Sequence, residues 1–488
     1  MFAFILLGVL AGLMAWQLEV VSNLFLSPLR DVPGPFFAKI TPRWLMLIDL
    51  AGNRTSAIHR LHQQYGQSVR VGPREVSYSN QELVKELYGQ QTTFRKAPIY
   101  DHLSVKPLGI FSMRDRNEHS QRRRLLSHAF SQSNLFETEP LIKQIVQKLI
   151  SHVEDGLGKP LNMLLLFRLT AFDIVGELFL GQSFGGLDSI SCPQFLKDMD
   201  YHFLLSGVES SFPWLNELLL FLPLPAVKHF LAARDRIIKY GQTSYEKYIS
   251  QYGRDSGRKD LLTKILSEKT ERTTPLTDRE TYTEIANLVF AGTDTTSTTL
   301  TYLFWELSKN RDWQRRLREE LSAVTYNGKV PAYKDIVDLP ILDAVITETL
   351  RLHPAAPASL QRETPAGGRT LNGVFIPEKT IVSMQCYTTQ RDPTVYPNPD
   401  SFMPNRWIGT EAVTESMKSL FLPFSRGTRA CLGKNLAMME LKMTTATLVR
   451  YYTVDLGPDT TEDSMMMMDH FLAMPRSGKC DLMFSKAG

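Results

Sequence analysis

Cysteine is scarce in this chain: four of 488 residues, Cys192, Cys386, Cys431 and Cys480, none of them in a C-x-x-C pair. Spacing this wide excludes a disulfide framework and a local zinc site, and it fits a reducing compartment. An excess of charge of one sign is missing too, with 55 basic against 51 acidic residues and a formal net charge of +4. No nucleic-acid motif is present either, so nucleic acid is not an expected partner. Ser/Gly tracts, long charge runs and internal repeats are also absent, which leaves no flexible linker to divide the chain. Length alone would suggest about three domains. The hydrophobic residues, 43 % of the chain, and the aromatics, 10 %, are spread along its length. They point instead to one large, mostly helical domain behind an N-terminal appendage.

What is present begins with that appendage. Phe2 to Trp16 is an unbroken apolar run, and Leu18, Val20, Val21, Leu24 and Phe25 extend it to the roughly 20 residues a spanning helix needs. A cleaved signal peptide is the competing reading, but no Lys or Arg precedes the run and no A-x-A site follows it. Residues 1–26 are therefore expected to be a membrane anchor. Pro28 and VPGPF, Val32 to Phe36, should stop the helix and form a stiff Pro-rich linker over 27–40, ahead of the main domain at 41–488.

Period-two alternation predicts a hairpin over Ser68 to Ser79 and another over Gly373 to Val382. Helical periodicity covers Asn117–Phe130, Leu161–Leu180, Ala226–Tyr252, Asp312–Val324, Leu339–Leu352 and Asn435–Tyr452. The longest helix is expected from the Thr277/Glu280 capping box to about Asn310. Its middle, AGTDTTSTT at Ala291 to Thr299, has hydroxyl and β-branched side chains where propensity favours Ala, Leu or Glu. Hydroxyls can bond back to carbonyls there, and Gly292 allows close approach to the backbone. Asp294 beside Thr295 is an acid next to a hydroxyl, a proton-delivery pair.

Three further stretches carry chemistry. Glu348 and Arg351 in ETLRLHP share a helix face, and taken alone they read as a surface ion pair worth about 0.2–0.5 kcal/mol. FMPNRW, Phe402 to Trp407, says nothing by itself. FSRGTRACLG, residues 424 to 433, sets Cys431 between Arg429 and Gly433 at the start of a helix. Nearby positive charge and helix N-terminal donors lower a thiol's pKa, giving a nucleophile or a metal ligand.

Phe424, Gly427, Arg429, Cys431 and Gly433 fit the pattern F-x-x-G-x-R-x-C-x-G, with Ala437 in the following helix. With AGTDTT, the E-x-x-R of Glu348 and Arg351 and the F-x-P-x-R-W of Phe402 to Trp407, all in the same order, the chain resembles the cytochrome P450 family. The resemblance extends over nearly the whole chain behind the anchor. The phrases FDIVGELFLGQSFG and EHSQRRRLLSHAFS look most like fungal microsomal members.

That resemblance implies a mainly α fold with small β-sheets around haem b. Cys431 would be the proximal thiolate ligand of the iron; Phe424 would shield it and Gly427 would allow the loop's turn. Ala291, Gly292, Gly433 and Ala437 would lie against the cofactor. Arg123, Arg362 and Arg429 match positions that pair with the haem propionates. His119 stands where many members have Trp, and its imidazole could still donate to a propionate. Glu348, Arg351 and Arg406 would form a structural ion-pair network, and Asp294 and Thr295 would be catalytic.

The activity implied is a monooxygenase in the endoplasmic reticulum membrane, its catalytic domain facing the cytosol. It would draw electrons from NADPH through NADPH-cytochrome P450 reductase, with cytochrome b5 as an optional second donor. The substrate would be lipophilic, a terpenoid or polyketide intermediate of fungal secondary metabolism, entering beneath a lid over Tyr201 to Val227. The apolar tip of that lid, Phe212, Trp214 and Leu218 to Phe221, would dip into the bilayer. A peroxide-rearranging isomerase and a haem-based sensor are the alternatives. The intact Asp294-Thr295 pair argues against the first, and the lack of a signalling domain against the second.

Overall fold

The computed structural model describes residues 12, 14–15, 17–103, 106–211, 213–267, 275–326, 328–409 and 412–488. Half of the expected anchor, residues 1–11, 13 and 16, therefore falls outside the described residues, as do Phe212 and the side chain of Trp214. Among the described residues no helix is long and apolar enough to cross a membrane.

Nine helices position the site: α1 (Arg116–Ser127), α2 (Gln132–Asp155), α3 (Met163–Leu180), α4 (Gln194–Ser211), α5 (Ala233–Tyr252), α6 (Asp278–Lys309), α7 (Arg311–Ser322), α8 (Pro340–Leu352) and α9 (Lys434–Tyr451). At one side lies a five-stranded sheet. Its strands are β1 (Ser68–Gly72), β2 (Glu75–Tyr78), β3 (Arg95–Lys96), β4 (Arg362–Glu363) and β5 (Ile381–Ser383), in spatial order β1-β2-β5-β4-β3.

The capping box that opens α6 is formed: the Thr277 hydroxyl accepts from the Glu280 N–H, and Glu280 reaches back to the Thr277 N–H. Its hydroxyls bond back along the helix as expected, Thr293 to Val289 O at 2.6 Å and Thr299 to Thr295 O at 2.8 Å. α3 is buried nearly all round, so it packs as a core helix and not on one stripe. It runs along α6, with Phe167 and Phe304 rings 5.3 Å apart at one end. A Cβ on Gly292 would come within 2.6 Å of Val175 Cγ1. The close approach that Gly292 permits is thus that of a neighbouring helix.

Several expectations shift. The helix expected over Ala226–Tyr252 is two, Pro225–Leu231 and α5, parted at Ala232 where ψ turns to 1°. The hairpin expected from Gly373 pairs Arg369–Leu371 with Val374–Ile376, so Gly373 lies in its turn, with φ at +78°. Ile381 to Ser383 instead crosses to the large sheet, parallel to β2. α2 was not expected; it accommodates Pro140 in its interior.

Glu348 and Arg351 on α8 are both 0 % exposed, so the surface-pair reading fails. Arg351 donates from Nε and Nη2 to the two Glu348 oxygens at 2.8 and 2.9 Å. Glu348 also accepts from Arg406 Nε at 3.1 Å and from the Trp407 indole at 2.8 Å. Spare Arg351 donors hold the carbonyls of Gln390, Pro399 and Ser401, which pins the irregular segment before the cysteine loop onto the core.

The Pro-rich stretch at 27–40 is docked on the sheet. Arg70 on β1, fully buried, donates to the carbonyls of Leu29 and Pro73, and its N–H to Pro33 O at 2.7 Å. Leu29 and Val32 are 2 % exposed.

Candidate active site

A cavity of about 320 Å³ lies between α6 and the loop that carries Cys431. From the α6 side Ala291, Gly292 and Thr295 line it; from the other, Phe424, Cys431, Gly433 and Ala437 do. The loop is closed by Cys431 N–H donating to Phe424 O at 2.8 Å. Gly427 has φ +65°, and a Cβ there would overlap the carbonyl oxygen of Tyr88. Both facts require glycine. Gly427 therefore sets the loop against Tyr88 without reaching the cavity itself. A Cβ on Gly433 would meet no protein atom within 4 Å.

Cys431 is exposed, and it lines this cavity. The N–H groups of Gly433 and Lys434 bond to its sulfur, as expected of a helix start. The expected lowering of its pKa does not follow. Burial pushes the thiol up, and those donors together with Arg123 and Lys434 only partly offset it.

The wall near the mouth of α1 is cationic. His119 and Arg123 reach it from α1, Arg362 from β4 and Arg429 from the cysteine loop. Lys96, which the sequence reading missed, joins them from β3, paired with Arg362 in the sheet register. Its ammonium lies 4.3 Å from the Tyr100 ring centroid and 4.2 Å from that of Phe111. Among the described residues none of Lys96, Arg123, Arg362 and Arg429 has a carboxylate within 4 Å. The arginines bond to carbonyls instead, Arg123 to Ala430 O at 2.7 Å and Arg429 to Met113 O at 2.6 Å. Burial and the mutual repulsion of this group hold Lys96 well below its usual pKa, Arg429 at about 10 and His119 at about 3. His119 is thus a neutral imidazole. Buried cations without counter-charges are costly, and a ligand carrying two carboxylates would relieve them. A haem, with two propionates at one edge and an iron that takes one thiolate ligand, matches this donor set of Cys431 below and four cations at the rim.

The family model for cytochrome P450 matches residues 34–481. The chain belongs to the cytochrome P450 family. It is 32 % identical over 482 residues to cytochrome P450 monooxygenase tazI of Aspergillus terreus, with 97 % of each chain covered. It is 31 % identical to stcB of Emericella nidulans, covering 95 % of this chain and 90 % of that one. To aflV of Aspergillus parasiticus it is also 31 % identical, covering 95 % and 92 %. The solved haem domain of cytochrome P450DA superposes with a TM-score of 0.80 over 94 % of this chain and 98 % of its own, at 18 % identity, and so shares the fold. This P450 is an oxidoreductase, a haem-thiolate monooxygenase.

Asp294 does not line the cavity. Arg168 on α3 donates to both its oxygens, and also to Asp200 on α4 at 2.7 Å. Burial acts to lower the pKa of Arg168, but these two carboxylates outweigh it and raise it. Arg168 was legible as a lone cation in the apolar run MLLLFRLTAF, which demands a buried partner. Thr295 does line the cavity, its hydroxyl on Ala291 O at 2.7 Å. Glu440, one turn along α9 from Ala437, also reaches the wall with neither oxygen partnered among the described residues, and burial pushes its carboxyl pKa well up.

Proposed function

We propose that this P450 inserts one oxygen atom of O2 into a lipophilic substrate, a terpenoid or polyketide intermediate of fungal secondary metabolism, with electrons from NADPH through NADPH-cytochrome P450 reductase and cytochrome b5 as an optional second donor. The observation that carries the reading is the pairing of a cavity-facing Cys431 with a rim of uncompensated cations. Bound haem supplies the oxygen-activating chemistry, its iron stabilising the Cys431 thiolate that the bare protein disfavours. Arg123, Arg362, Arg429 and Lys96 hold the propionates, and His119 donates to one of them. Phe424 excludes water from the sulfur, Gly427 fixes the loop, Gly433, Ala437 and Ala291 let the flat ring approach, and Gly292 lines the same face while its missing Cβ lets α3 close on α6. Glu348, Arg351 and Arg406 keep the segment feeding that loop in place.

On the α6 side, Thr295 lines the cavity, and turning its hydroxyl off Ala291 O would let it hold a proton there; Asp294, clamped behind it by Arg168, would replenish that proton only after the pair opens. The apolar wall, Phe111, Phe203, Phe290 and Leu472 among others, suits a hydrocarbon body. Phe221 is 82 % exposed, with Leu218, Leu220 and Leu224 also exposed beside it, which supports a lid tip that meets the endoplasmic reticulum membrane. Residues 1–26 act as the single-pass anchor, and the catalytic domain faces the cytosol.

The deciding experiment is the reduced carbon monoxide complex. The native protein is expected to give thiolate-type absorption and Cys431→Ser to lose it; a variant that keeps that absorption overturns the assignment. Product formation that requires reductase, NADPH and O2 together separates monooxygenation from peroxide rearrangement.

A further inference from the structure

A second cavity of about 130 Å³ adjoins the first, and the two share a wall of Tyr100, Leu103, Phe203 and Phe471. Phe203 and Phe471 stack in that wall, ring centroids 4.8 Å apart and planes 4° from parallel. Beyond them the second cavity turns polar. Asp49, Arg54, Ser359, Gln361 and Asp469 line it, brought together from the helix Arg43–Leu50, the start of the helix Arg54–Tyr65, the approach to β4 and the strand Met467–His470.

The hydrogen bonds there are incomplete. Arg54 Nη2 and Gln361 Nε2 both donate to Glu75 Oε1, at 2.7 and 2.8 Å. Asp469 accepts from the Thr55 hydroxyl and from the Phe471 N–H at 3.1 Å, which leaves each of its oxygens a free lone pair. Ser359 Oγ is buried, with no partner among the described residues. A buried hydroxyl without a partner is destabilising, so a ligand group that both donates and accepts would complete the set. Burial raises the carboxyl pKa values of Asp49 and Asp469, the latter to about 6. A carboxylate ligand would face Asp49, Asp469 and Glu75, three acids against Arg54 and His470.

We propose that this second cavity seats the hydroxyl of an uncharged, already oxygenated lipophilic substrate, which donates to Asp469 and accepts from Ser359 or Arg54. The hydrocarbon body then runs past the Phe203–Phe471 pair into the main cavity. This rests on the reading of that cavity as the place of a lipophilic substrate. It makes the reaction an oxygenation remote from a hydroxyl that the substrate already carries, so a hydroxyl-forming step must come earlier.

The test is equilibrium binding of farnesol, farnesyl methyl ether and farnesene to the full-length haem protein, followed by the spectral shift at the iron and by calorimetry. Farnesol is expected to bind about tenfold more tightly than the other two, since the ether lacks the donor and farnesene lacks both functions. Asp469→Asn also alters the buried Thr55 contact and so confounds binding with folding. Ala358→Leu fills the second cavity from a residue that does not line the first. It is expected to abolish the preference while leaving farnesene affinity and the thiolate-type carbon monoxide spectrum unchanged. Equal affinity for farnesol and farnesene, or a preference that survives Ala358→Leu, overturns the proposal. Failure of all three probes to bind overturns the lipophilic-substrate reading beneath it.

Discussion

The guanidinium of Arg168 closes on both carboxylate oxygens of Asp294, Nε to Oδ1 at 2.6 Å and Nη2 to Oδ2 at 3.1 Å. The acid expected to supply protons is thus clamped from α3, and the same guanidinium spans to Asp200 on α4. Three elements around the cavity meet in one charge cluster.

Removing the centre of that cluster strands two acids. Arg168→Leu is expected to lose about 3–5 kcal/mol of stability, read from the denaturant midpoint. Arg168→Lys keeps the charge without the planar fork and should lose clearly less. Equal losses for the two variants would show that charge is not what the cluster needs.

Thr295→Ala should leave substrate binding and NADPH consumption intact while diverting reduced oxygen to hydrogen peroxide. Thr293→Ala is the control, because its buried hydroxyl is committed to Val289 O and does not line the cavity. Product and peroxide measured in the same reaction decide it, and tight coupling in Thr295→Ala contradicts the role.

At Gly427 the φ of +65° alone costs a residue with a Cβ about 1–2 kcal/mol, and overlap with Tyr88 O adds to that. Gly427→Ala should therefore lower Tm and haem content together. An unchanged Tm would mean that the loop can move off Tyr88 freely.

Glu440 gives a pH signature. Its folded pKa lies well above the ordinary 4.5, so the folded chain binds this proton more tightly than the unfolded one. Stability from this site is present below about 4.5 and is lost as pH rises toward the folded value. Glu440→Gln should remove that loss, so its Tm advantage over the native chain should grow from about pH 5 to about pH 8. A constant difference across that range would mean that the carboxyl is ionised or partnered.

Local signals were legible where one stretch of chain does the work. The Thr277/Glu280 cap, the Thr-rich turns of α6 and the Gly-containing loop before α9 could all be read from neighbours in sequence. What convergence builds could not. Lys96 and Arg362 face one another only because β3 pairs with β4, and Arg168 meets Asp294 across 126 positions. The thiol's pKa was misjudged because sequence shows the charges beside Cys431 but not the depth of its burial. Ala232 looked helical because nothing in its residue type breaks a helix; the ψ turn there is set by packing. Gly292 was read as a place of close approach to the backbone, but sequence could not say by what; the structure spends its missing Cβ on Val175.

The sheet has a mechanical consequence. Arg70 staples the chain's entry at 27–40 to β1, and Lys96 and Arg362 sit on β3 and β4 of that same sheet. Hydrogen-bonded strands transmit tilt with little give. Whatever grips the chain ahead of residue 27 therefore steers the body as a rudder post steers a blade, with no swivel between that grip and the cationic rim of the cavity.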